Sequence, residues 1–300
     1  ITRKDIDTLV EFLQQEPIPK LTNGPKVAEF EQKWSEWLGV KYSVMVNSGS
    51  SANELTMLAL SYELGIPATG HVAPYEVIVP ALTWTSDISS VFFAGLRPVF
   101  CDINLSNLAF DLERLEAAIT PRTRAVFLTH VLGLNGVTQE LLDICKKHNL
   151  ALIEDVCESH GATFMGKKAG SIGFASNFSF YFAHHMSTIE GGMICTNDEA
   201  FYELLRMLRS HGMLRESTHE EYKQEVIEQF PDLNPDFIFV APAHNHRSTE
   251  INAVLGLSQI QKLDENNEVR QKNFRYFISN LNPGKYVTNF DLEGQSNYAF

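Results

Sequence analysis

Positive charge is scarce in this chain. Against 37 aspartates and glutamates stand 24 lysines and arginines, a formal net charge of −13. Such a balance argues against nucleic acid or an anionic membrane as a partner, although a few local donors still suffice for a small anionic ligand. Cysteine is scarce as well. Cys101, Cys145, Cys157 and Cys195 fit no zinc or disulfide spacing, which reads as buried thiols in a reducing cytoplasm. No apolar run approaches the roughly 20 residues of a membrane helix. The opening "ITRKDIDTLVEFLQQEP" is amphipathic and charged, unlike a signal peptide. The sequence starts without Met, so a cut or disordered start is expected, and it closes on "SNYAF", which alternates like a strand just beginning, so further structure is expected beyond the C-terminus.

What is present is a regular alternation of short apolar runs and helical patterns. The runs are "YSVMV", "EVIVPAL", "RPVFCDI", "RAVFLTH", "LALIEDV", "ASNFSFYF" and "GGMICTN". Between them lie "SSANELTMLALSYEL", "TSDISSVFFAG", "DLERLEAAI" and "TQELLDICKKHN", all helical in period. This order predicts an α/β fold with a mainly parallel seven-stranded sheet covered by helices on both faces. Two helical segments fill the first 40 residues, residues 214–246 read as irregular, and one long helix is expected from "TEINAVLGLSQIQKL" onward. The expected division is an N-terminal helical arm (1–25), a large α/β domain (26–246), and a linking helix with the start of a smaller domain (247–300).

In such sheets ligands sit beyond the carboxyl ends of the strands. After "YSVMV", residues Ser48, Gly49, Ser50 and Ser51 join a strand to a helix N-terminus. That is either a phosphate cup or a simple serine cap. Trp84 follows "EVIVPAL" and is a core residue or a stacking surface for a flat ring. Asp155 ends "LALIED" and there caps a helix or meets a cation, a metal or a protonated ring nitrogen; no cluster at metal-ligand spacing surrounds it. In this order the three features describe a pocket for a flat, phosphorylated, nitrogen-containing ring such as pyridoxal phosphate.

At "SGSSAN", "PALTWTS", "IEDVCESHGATFMGKKAGSIG", "FSFYFAHHMSTIEGGMICTND", "RSHG" and "NHRSTEINAVLGLSQIQKL" the chain resembles the nucleotide-sugar aminotransferases and dehydratases. These are fold type I, aspartate-aminotransferase-like pyridoxal-phosphate enzymes. In that family a lysine between "SF" and "EGG" tethers the cofactor. Counting from Ser179 and back from Glu190, that position is His184, with His185 one residue late. Lys167 and Lys168 do not align with it.

Histidine there is characteristic of the family's sugar 3-dehydratases, and no cysteine follows Cys195 to hold the iron–sulfur cluster of one branch. The resemblance therefore implies a cluster-free homodimer using non-covalent pyridoxal or pyridoxamine phosphate. It implies GDP-4-keto-6-deoxymannose and L-glutamate as substrates, in cytoplasmic synthesis of a dideoxysugar for O-antigen lipopolysaccharide. It also implies His184 as catalytic base, Asp155 on the pyridine nitrogen, and Trp84 on the ring face. Gly49, Ser50 and Ser179 would hold the phosphate, joined by Asn245 from the partner subunit. Glu158 stands where the family usually has Gln, near the ring hydroxyl; His185 and His211 are secondary candidates for substrate or support. The competing readings are an aminotransferase variant and a non-catalytic cofactor- or sugar-binding relative.

Overall fold

Seven short strands with alternating side chains decide the architecture. In the computed structural model, which describes residues 1–65 and 75–299, these are β1 (Tyr42–Val46), β2 (Glu76–Pro80), β3 (Arg97–Cys101), β4 (Thr123–Thr129), β5 (Ala151–Asp155), β8 (Ala175–Ser179) and β9 (Gly192–Thr196). They form one sheet in the order β1-β9-β8-β5-β4-β2-β3. Pairing is parallel from β8 through β5, β4 and β2 to β3, and β9 runs antiparallel between β8 and β1. A two-residue hairpin, β6 (Thr163–Phe164) with β7 (Lys167–Lys168), stands apart.

Because successive strand side chains point to opposite faces, two apolar layers arise. Val44, Val79, Phe127 and Ile194 pack with Leu55 of α3 (Gly49–Glu63) and Phe201 of α7 (Glu199–Arg209). On the other face, Met45, Phe178 and Met193 meet Phe30 and Trp34 of α2 (Pro25–Leu38). Val126, Leu128 and Leu152 meet Leu115 of α5 (Leu112–Ala118) and Leu141 of α6 (Gln139–Lys147) on that face. The short α4 (Thr85–Phe93) follows β2. The N-terminal helix α1 (Arg3–Leu13) is pinned to α9 (Glu250–Ile260) through buried Asp5, which accepts from Ser258 Oγ and Gln259 Nε2, both at 2.6 Å. Burial alone would raise the Asp5 carboxyl; hydrogen bonds from Ser258 and Thr2, with the charge of Lys262, bring it to about 2.

The structure departs from the expected elements in three places. The long C-terminal helix is two, α9 and α10 (Leu263–Ser279), broken at Gln261–Lys262 so that Leu263 turns into the core beside Ala253. The stretch 214–246 contains α8 (Glu220–Gln229), a helix with no buried residue and therefore no apolar period to reveal it. Residues 296–299 form no strand; Ser296 instead donates its backbone N–H to Gly133 O at 2.8 Å, and Phe300 lies outside the described residues. Gly133 has φ +89°, and a Cβ there would stand 2.1 Å from Ser296 O, so this crossing requires glycine.

One buried ion pair ties three elements of the sheet's outer edge. Arg209 of α7, 1% exposed, donates to Glu31 Oε1 of α2 at 2.6 Å and to Met45 O of β1 at 3.1 Å, while Met45 N donates back to Glu31 Oε1 at 2.7 Å. Removing one partner strands a buried charge. Arg209→Met should therefore lower the unfolding free energy by about 3–5 kcal/mol, read from the urea midpoint. The double variant Arg209→Met/Glu31→Gln should recover part of that loss.

Candidate active site

The carboxyl ends of β1, β2, β4, β5 and β8 open into one cavity of about 500 Å³. Their direction is shared because β9, the antiparallel strand, contributes its beginning instead: Glu190, just before β9, lines the same space. Each strand delivers a different group. β1 leads to Ser48, Gly49 and Ser50, where Ser48 caps α3 by accepting from Ser51 N at 3.0 Å. The first-turn amides of a helix have no intrahelical partner and carry the positive end of its dipole, which suits a phosphate. A Cβ on Gly49 would stand 2.5 Å from the Cβ of Ser179, so only glycine lets the α3 N-terminus approach the end of β8.

β2 leads to Trp84, which is 66% exposed at the cavity rim; of its two sequence readings the core residue is excluded and a free ring face remains. β5 ends on Asp155, 4% exposed, which accepts from Cys157 N at 2.8 Å and Asn53 Nδ2 at 3.0 Å. Its neighbour Glu154 faces the opposite side, held by His130 Nε2 at 3.2 Å and the amides of Gly170, Ile172 and Gly173. The two adjacent acids are thus divided by the pleat, one structural and one facing the cavity. Glu158 also lines the cavity and accepts from Leu132 N at 2.8 Å; burial pushes its carboxyl up.

His184 lines the cavity with an unpartnered Nδ1, between Tyr181 and Tyr298, whose ring centre lies 5.1 Å away. Burial lowers its pKa to about 4, against the opposing pull of the Asp155 charge. His185 faces the protein interior: its Nε2 lies 3.0 Å from Ser296 O and its ring stacks on His160 at 5.1 Å. Burial takes it to about 3. Among the residues lining the cavity there is no lysine.

The structure therefore brings together His184, Gly49, Ser50, Trp84, Asp155, Glu158 and Ser179, and leaves three candidates outside. Asn245 is exposed and turns its Oδ1 to Arg247 N at 3.1 Å. His211 lines a separate groove of about 980 Å³ with His244 and Glu54. Near it, donor atoms of Glu54, His244 and His246 come within 4.8 Å of one another. Sequence reasoning missed Thr83, Asp87, Thr129, Tyr181 and Tyr298. For the two threonines the signal was position just past, or at, a strand end; for Tyr298, remote in sequence, there was none.

This donor set fits a phosphorylated pyridine: a helix N-terminus, a buried acid at a strand end, a free aromatic face at the rim and an imidazole. Comparison with known proteins agrees. The family model for DegT/DnrJ/EryC1/StrS aminotransferases matches residues 1–299. The chain is 34% identical over 277 residues to GDP-4-keto-6-deoxy-D-mannose 3-dehydratase of Escherichia coli, covering 92% of this chain and 70% of that one. It is also 34% identical over 249 residues to GDP-perosamine synthase of Caulobacter vibrioides, covering 83% and 60% respectively. The solved E. coli 3-dehydratase with bound hydrated pyridoxal phosphate superposes with a TM-score of 0.85 at 31% identity, over 99% of this chain and 75% of that one.

The depressed histidines predict an acid-side loss of stability. Unfolded histidines gain a proton below about pH 6.5, whereas folded His184 and His185 stay neutral down to about 4 and about 3. The unfolded state binds more protons in between, so this part of the stability is complete above about 6.5 and shrinks as pH falls. The urea midpoint should drop between pH 7 and pH 5, and His185→Asn should flatten that drop relative to the parent.

Proposed function

The chain belongs to the DegT/DnrJ/EryC1/StrS aminotransferase family, and within it we propose that it removes the carbon-3 hydroxyl from GDP-4-keto-6-deoxymannose. Identity alone does not separate this from amine transfer, since the dehydratase and the perosamine synthase are equally similar at 34%. The observation that carries the reading is His184, an imidazole in the lining of a cavity that holds no lysine. Imidazole makes no stable imine, so the cofactor rests untethered, and a neutral imidazole is a proton acceptor.

Pyridoxamine phosphate, when bound, supplies an amine for the sugar's 4-keto group and an electron-accepting ring. The chain's residues do the rest. Ser50, Ser179 and the α3 amides hold the phosphate, Asp155 keeps the ring nitrogen protonated, and Trp84 covers one face. Glu158, whose carboxyl burial pushes up, stands toward the ring hydroxyl where the family usually has Gln. His184 takes up a proton and, once protonated, gives it to the hydroxyl leaving sugar carbon 3. Its short reach keeps it from sugar carbon 4, which favours loss of water over amination. L-glutamate restores the amine form.

Asn245 lies outside the cavity of its own subunit, which supports a role on the phosphate of a partner in a homodimer. Free cysteines and a nucleotide-sugar substrate favour a cytoplasmic setting. Among the described residues no helix is long and apolar enough to cross a membrane.

Mass spectrometry of products from GDP-4-keto-6-deoxymannose and glutamate tests the reading directly. Loss of water is expected, and gain of an amine would overturn it. His184→Asn should abolish dehydration while pyridoxamine phosphate still binds. His185→Asn should keep most of the activity and lose about 1–2 kcal/mol of stability, as expected for a buried hydrogen-bonded group. An essential His185 would place the base one residue later.

A further inference from the structure

The inner wall of the cavity holds a second acid behind Asp155. Asp87, in the first turn of α4, is fully buried. Its Oδ2 lies within hydrogen-bond distance of Thr129 Oγ1, at 2.7 Å, and of Thr83 Oγ1, and those two hydroxyls lie 2.6 Å from each other. Its Oδ1 lies 2.6 Å from Asn53 Nδ2, and that same nitrogen lies 3.0 Å from Asp155 Oδ2. One amide nitrogen thus bridges two buried carboxyls. Among the described residues no lysine or arginine forms an ion pair with either acid.

We propose that Asp87 is held as a neutral carboxylic acid, so that it and Asp155 together show the cavity a single negative charge. Resting on the functional reading above, that charge is matched to one cationic ring nitrogen, and Asp87 is a positioning residue acting through Asp155. The hydrogen count supports this division. Thr83 Oγ1, Thr129 Oγ1 and Asp87 Oδ2 make three mutual contacts with only two hydroxyl hydrogens between them, so a third hydrogen, on Asp87, completes the set. Asp155 meets only N–H donors, Cys157 N and Asn53 Nδ2. Two charged carboxylates this close in a dry site would repel too strongly to coexist. Burial, then the Asp155 charge, pushes Asp87 well above the ordinary carboxylate range. The other titratable groups facing the pair are Cys157, also pushed up by burial and by Asp155, and Glu158 and His184, which feel the Asp155 charge. None of them supplies a positive counter-charge.

The sign of the test follows from linkage. An unfolded aspartate loses its proton near pH 3.9, and folded Asp87 holds its proton to higher pH. That contribution favours the folded state at low pH and is lost as pH climbs through the pair's own range. Asp87→Asn keeps the shape, with an amide donor for the threonine hydroxyls and an acceptor for Asn53, but has nothing to titrate. Urea unfolding of both cofactor-free proteins between about pH 4 and about pH 9 should show the parent losing stability relative to the variant as pH rises. Parallel curves would overturn the neutral Asp87. Should the variant not fold, infrared spectra of the parent decide the matter: a carboxylic-acid carbonyl band must persist at neutral pH, and its absence sinks the proposal. For the cofactor clause, titration calorimetry with pyridoxamine phosphate in two buffers of different ionisation heat should show equal proton exchange for parent and variant, because the pair keeps its one proton when the ring binds. Extra proton release from the parent would overturn the matched charge. Failure of the parent to bind pyridoxamine phosphate would overturn the functional reading, while the stability curves still decide the pair.

Discussion

A carboxylate with no cation beside it, at the closed wall of a cavity, is the constraint around which this site is arranged. Burying an ionised acid costs several kcal/mol unless donors surround it. Asp155 is surrounded: an amide from its own strand end, an Asn from the helix above, and a second acid behind. Its charge is felt by Cys157, Glu158 and His184. The protonation states of the cavity are therefore coupled, and they follow from where β5 stops.

The backbone approaches that bring the α3 N-terminus to the same cavity as that acid leave no space for side chains. Gly49 sits against Ser179, and a Cβ on Gly192 would stand 2.3 Å from Ser48 O. The β1–β9–β8 edge is thus pulled tight around the α3 N-terminus. Between His184 and Gly192 the chain passes through Ile189 with φ +73°, a left-handed conformation that a β-branched residue adopts only under constraint. Asn252 Nδ2 donates to Thr188 O and Glu190 O on either side of it, at 2.7 and 2.9 Å. A strained turn held by α9 is what places Glu190 and His184 on the same cavity.

All seven main strands were readable because each is a short apolar run bounded by polar residues, a pattern the sheet imposes on its inner strands through burial on two faces and on the half-exposed edge strand β3 only in part. The α10 break and the exposed α8 were not, since the first depends on where Leu263 finds the core and the second has no apolar face. Position 184 was legible by spacing from Ser179 and Glu190, which topology fixes at the end of β8 and the start of β9. Asp87 was hidden for a different reason: an acid in the first turn of a helix reads as favourable to the helix dipole, and only the tertiary contact with Asn53 and Asp155 shows a second use. Tyr298 comes into the cavity through the crossing of residues 296–298 over Gly133, a long-range contact that no local pattern encodes.

An imidazole in place of an amine changes more than basicity. Under the proposed function, a lysine amine would hold the cofactor by a covalent bond, whereas with His184 retention would fall to the helix N-terminus, Asp155 and the exposed Trp84 ring. Burial takes the His184 pKa to about 4, so its imidazole is neutral at neutral pH, while the Asp155 charge pulls toward the protonated form. With Asp155 also meeting the ring nitrogen in that proposal, proton uptake at His184 and charge at the ring would be two readings of one electrostatic field, and the state of Asp87 behind Asp155 would bear on both.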